Sequence, residues 1–82
     1  MDYHLTEHAR DALKKRKIPL EWMERVLDGP DWTKKDTIDE DIEHRLARIP
    51  EFGDRVLRVI ANVKVAPPRV VRCYFDRRRT GQ

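Results

Sequence analysis

The spacing of hydrophobic positions along this chain changes character at Pro30. Before it, Leu5, Ala9, Ala12 and Leu13 recur at helical spacing, as do Leu20, Met23, Val26 and Leu27. Thr6 is suited to cap the first helix, and Glu7 in its first turn complements the positive end of the helix dipole. That helix is predicted to run to about Lys17, with the cationic run Lys14 to Lys17 at its negative end. The second is predicted from about Leu20 to Asp28. Pro19 stands where a helix start tolerates proline, and Gly29-Pro30 stops the helix.

Beyond Pro30 the period falls to two. Trp32 to Ile38 is a weak, polar strand candidate. Ile42 to Ile49 is a stronger one, ended by Pro50. Glu51-Phe-Gly-Asp54 reads as a hairpin turn into a strand over Arg55–Val65, and Ala66-Pro67-Pro68 turns the chain into a last strand over Arg69–Asp76. The predicted architecture is α+β, with two N-terminal helices packed on one face of a three- to four-stranded antiparallel sheet. Residues 1–76 form a single domain in this reading, and residues 77–82 form a basic, flexible tail.

Alternation separates the two faces of the last strands. Leu57, Val59, Ala61 and Val63, then Val71, Cys73 and Phe75, lie on one side. Arg58 and Asn62, then Arg72, Tyr74 and Asp76, lie on the other, with Val56, Ile60 and Val70 among them. Arg58 and Arg72 are therefore expected to project from one face, away from both helices.

Charge sharpens that picture. The chain carries a net charge of +3, but residues 1–44 hold 8 Lys/Arg against 12 Asp/Glu, and residues 45–82 hold 10 Lys/Arg against 3. Nine of those ten cations are arginines, whose forked guanidinium pairs bidentately with phosphate and stacks on bases. Nucleic acid is the natural polyanionic partner, and solubility is the competing use of such charge. With charged residues at 40% and hydrophobic ones at 39%, 82 residues build one thin core. No apolar run approaches a membrane span, and the start has no signal-peptide pattern, so no membrane partner and a cytoplasmic location are expected. Cys73 is the sole cysteine, which excludes an internal disulfide and a cysteine-based zinc site, and its neighbours suit core packing.

Three groups of residues could carry chemistry. His8 and Arg16 lie on the edge and near the middle of the first helix's apolar stripe, at a seam between helix and sheet. There histidine could serve as acid or base, and Arg16 could equally well lay its stem over apolar surface. The sheet cluster of Arg58, Arg72 and Tyr74 could bind phosphate, stabilise a pentavalent transition state and stack a base. His44 and Arg45 lie on opposite faces of the preceding strand, so only one can join that cluster, and register decides which. The acidic run Asp36, Asp39, Glu40, Asp41 and Glu43 lacks the glycine and spacing of a calcium loop and reads as a solvated turn. No phosphate loop and no Ser/His/Asp arrangement is present, so no metal and no cofactor is expected.

Three stretches carry a family resemblance. They are His8-Ala9-Arg10 with Arg16-Lys17-Ile18-Pro19 and Val26-Leu27-Asp28-Gly29-Pro30, then Asp54 to Ile60, then Val70 to Arg78. Together they resemble a small uncharacterised bacterial domain family with a His-Ala…Arg-x-Ile helix pair, and more distantly the RelE and BrnT ribonuclease toxins of toxin–antitoxin systems. The resemblance implies a RelE-like fold, metal-independent endoribonuclease activity on RNA, free or on the ribosome, and a cognate antitoxin. It implies catalytic roles for His8, Arg16, Arg58, Arg72 and Tyr74. Arg45, Arg58, Arg72, Arg77 and Arg78 are the expected RNA contacts, and His44 is the alternative proton acceptor to His8. The rival reading is a binding module without chemistry that uses the same basic face for nucleic acid or protein.

Overall fold

In the computed structural model, which describes residues 2–77, the chain runs β1 (His4–Leu5), α1 (Glu7–Lys15), α2 (Leu20–Asp28), β2 (Trp32–Lys35), β3 (Ile42–Ile49), β4 (Arg55–Asn62) and β5 (Arg69–Phe75), with a short 3-10 turn at Pro50–Phe52. The class is α+β, as the pattern of periods implies. The sheet has five strands in the order β1-β5-β4-β3-β2 and is mixed, because β1 pairs parallel with β5. This corrects the expectation of three to four purely antiparallel strands. A two-residue strand carries no period, and Leu5 serves the core from β1, where it pairs with Val70, and not from the first helix.

The helices form where their stripes and caps dictate. Thr6 accepts a hydrogen bond from the Ala9 amide at 3.1 Å, and α1 buries Ala9 and Leu13. It stops at Lys15, two residues short of the predicted end, because Lys17 adopts a left-handed φ of 54°. The Ile18 amide then reaches back to the Leu13 carbonyl and the Lys17 amide to that of Lys14, which seats Ile18 against Leu13. A side chain at positive φ is strained. Lys17→Gly is therefore expected to raise stability by up to about 1 kcal/mol, after allowing for glycine's extra freedom when unfolded. Urea unfolding would measure this, and a loss of stability would contradict the strain argument.

α2 buries Met23, Val26 and Leu27 over the sheet face formed by Ala47, Ile49, Leu57, Val59, Ala61, Val70 and Cys73. Val70 takes the core position that parity had assigned to Val71. The cause is a bulge: Ile60 pairs with Arg72 and Ala61 with Val70, which leaves Val71 as the extra residue. Two adjacent valines cannot reveal from sequence which of them turns inward. On its other side, β5 beyond Val70 has no partner strand among the described residues, because β1 ends at Leu5. α1 packs against β5.

Candidate functional site

The sheet face away from the helices is built by register. Trp32, Leu46, Arg58 and Tyr74 form one cross-strand row, and Lys34, His44, Ile60 and Arg72 form the next. Arg58 and Arg72 thus share the face turned from the core residues Val59 and Cys73. Their states differ sharply. Arg72 is exposed, whereas Arg58 is only 8% exposed.

Arg58 is held inside a relay of charged groups. Its Nη2 donates to Asp76 Oδ2 at 2.6 Å and its Nη1 meets His44 Nδ1 at 2.7 Å. His44 Nε2 lies 2.8 Å from Asp36 Oδ1. A guanidinium only donates, so His44 Nδ1 must accept and the ring proton must sit on Nε2, donated to Asp36. Asp36 also accepts from the amides of Ile38 and Asp39. The hydrogen bond from His44 is the largest influence that holds its carboxyl below the usual carboxylate range, followed by those two amides. Both ring nitrogens of His44 are therefore occupied, and Arg58 is a structural ion pair with no solvent-facing fork.

Register places His44 on this face and Arg45 on the other. Arg45 reaches under the helices, where its guanidinium donates to the Leu27 carbonyl at the C-terminal end of α2 and to Glu43 Oε1. Arg45, expected from the sequence as an RNA contact, thus stands on the opposite face from Arg58 and Arg72, with its guanidinium on one terminal carbonyl of α2. Arg77 is exposed beyond β5, and Arg78 lies outside the described residues, as does the rest of the basic tail.

The residues drawn together lie at the open edge of β5. A pocket of about 580 Å³ is lined by His8, Asp11, Lys15 and Arg16 of α1 and its C-cap, and by Arg72, Cys73 and Tyr74 of β5. Residues 8, 11, 12, 15 and 16 occupy one helical stripe, and α1 packs directly on β5. Four of the five expected catalytic residues meet here: His8, Arg16, Arg72 and Tyr74. Arg58 does not line this pocket but stands beside it as the cross-strand partner of Tyr74.

Asp11 and Lys15 were not singled out from the sequence, although their spacing of three and seven from His8 puts them on the same helical stripe. The back of the pocket carries Cys73. Burial pushes its thiol up to about 12, against the opposing pull of the Arg16 charge, so it stays protonated near neutral pH and is no nucleophile. Among the described residues, no three His, Cys, Asp or Glu side chains cluster in a way that could hold a metal ion. Nor is any helix among the described residues long and apolar enough to cross a membrane.

A family model described as a domain of unknown function (DUF4258) matches residues 5–75, and the chain belongs to that family. Neither the curated proteins nor the solved structures provide a match to it.

Proposed function

We propose that this DUF4258 domain is an RNA-directed protein resembling the RelE and BrnT toxins, a metal-independent endoribonuclease whose site is the pocket between α1 and β5. The observation that carries the proposal is that His8 and Arg16, far from Arg72 and Tyr74 in sequence, line one pocket with them. Two helices packed on one side of a sheet also suit the arrangement that the resemblance implies.

Each residue type fits a need of RNA cleavage. Arg16, Lys15 and Arg72 supply positive charge for a phosphate and for the pentavalent transition state. Tyr74 offers a ring for a base to stack on. His8 takes the proton of the 2′-hydroxyl, whose oxygen attacks the adjacent phosphorus as the bond to the 5′ oxygen breaks. Arg58 acts by position: clamped by Asp76 and His44, it fixes the strand register beside Tyr74. His44 is the poorer base, because both of its ring nitrogens already hold partners. The antitoxin of such a toxin would cover this pocket.

A second reading, a binding module without chemistry, has one feature in its favour. Asp11 places a carboxylate among the cations, which suits the mixed charges of a protein partner.

Arg72→Ala separates an RNA site from an unrelated basic surface. Losing one phosphate contact is expected to weaken binding of a short single-stranded RNA roughly tenfold. It should also flatten the log–log salt dependence by about 0.7. Arg45→Ala, turned to the helix side, should leave that slope unchanged. Equal affinity and slope for Arg72→Ala and the parent would remove Arg72 from the site.

A further inference from the structure

On the other flank of α1 lies a second concavity, of about 600 Å³, between the end of α1, the start of α2 and β1. Its floor is apolar. Leu5 is half-buried there, Leu13 and Ile18 are 7% and 5% exposed, and Leu20 stands 45% exposed at its lip. The charged residues of its lining are all cations, Arg10, Lys14 and Lys17. An occupant must therefore bring an apolar side chain flanked by acids.

The chain itself presents such a group. Ile38 is 93% exposed, far more than any other large hydrophobic residue among those described. It sits in the β2–β3 turn, followed directly by Asp39, Glu40 and Asp41. The turn is not slack. Asp36 Oδ2 accepts from the Ile38 and Asp39 amides, Asp39 Oδ1 accepts from the Asp41 amide, and Asp36 is tied to the sheet through His44. A hydrophobic side chain held out on a hydrogen-bonded turn loses little freedom on docking.

Turn and groove lie at opposite ends of the sheet, since β1 and β2 are its two edge strands. Four interstrand spacings separate those strands, roughly 19 Å. Ile38 thus reaches such a groove only on another molecule.

We propose that copies of this chain associate head to tail, with Ile38 and its acidic turn seated in the α1–α2 groove of the next copy. The two surfaces differ, so the contact is heterologous, and each added copy leaves one free turn and one free groove. The contact is small and belongs at the weak end of the interface range. Its rim pairs Arg10, Lys14 and Lys17 with Asp39, Glu40 and Asp41, so it weakens as salt is raised.

Sedimentation equilibrium of the intact protein, from micromolar to millimolar concentration at low salt, tests this. The average mass is expected to climb above the monomer with concentration. Ile38→Asp, and separately the pair Arg10→Glu with Lys14→Glu, should each lower the association constant by at least about tenfold. All three positions lie on the surface, and circular dichroism checks that the fold persists. The decisive arm mixes the two variants, since one keeps its groove and the other its turn. The mixture should form one-to-one dimers and nothing larger. A parent that stays monomeric throughout would overturn the proposal and leave the groove to a different partner. So would variants that associate like the parent, or a mixture that fails to pair.

Discussion

Asp76→Ala is expected to destabilise the fold by about 3–5 kcal/mol, because it strands the guanidinium of Arg58 inside the protein. Arg58 and Asp76 have side chains only 10% and 4% exposed, and their 2.6 Å contact is the innermost link of the Asp36–His44–Arg58–Asp76 relay. The Nε of Arg58 is already buried without a hydrogen-bond partner among the described residues, so the cation has little left to fall back on. A domain of this size holds only about 5–15 kcal/mol in total, so the variant would be close to unfolding. Replacing both residues by apolar side chains of similar volume should cost less than Asp76→Ala alone, since no uncompensated charge then remains. Urea unfolding of the two proteins measures the difference. A cost under about 1 kcal/mol for Asp76→Ala would mean that Arg58 finds water or another partner, which would undo the assignment of Arg58 as a structural clamp.

The same relay sets a dependence on pH. The Asp36 carboxyl, held down chiefly by the His44 hydrogen bond, has a lower pKa folded than unfolded. Its contribution is therefore fully present above the unfolded value of about 3.9 and is lost as pH falls through the folded value. Stability is expected to fall on acidification, and Asp36→Asn should make that fall shallower.

How far these features could be read from residues alone differs from place to place. The bounds of α2 and β3 coincide with the predicted ones, since a stripe with punctuation at both ends, such as Leu20 to Leu27 before Gly29-Pro30, leaves little freedom. The two-residue β1 has no periodicity to detect, and its parallel pairing joins residues more than sixty positions apart. The bulge at Val71 hid behind an apolar neighbour on each side of the parity choice.

At the site, helix phase puts His8 and Arg16 at a seam with the sheet, but strand parity alone sends Arg72 and Tyr74 to the face away from the helices, and the pocket that unites the four is a property of the assembled fold. The fate of Arg58 does not. Its counter-ion Asp76 was placed on the correct face, but parity says nothing of whether two charges on one face meet each other or a ligand. The choice between His44 and Arg45 likewise waited on register, which is a property of the assembled sheet.

His8→Ala is expected to abolish RNA cleavage while leaving RNA affinity unchanged. His8 lines the pocket through a ring that binding does not require, whereas Arg16, Lys15 and Arg72 retain the phosphate. Loss of a general base costs about 10²–10⁴-fold in rate. The most direct measurement is cleavage of an RNA substrate by the purified protein in the presence of EDTA, alongside His8→Ala at matched RNA occupancy. The account predicts that the parent cleaves under chelation and that His8→Ala is slower by at least about a hundredfold. A parent that cleaves no RNA, with or without metal, free or on ribosomes, would contradict it, as would a His8→Ala protein as fast as the parent.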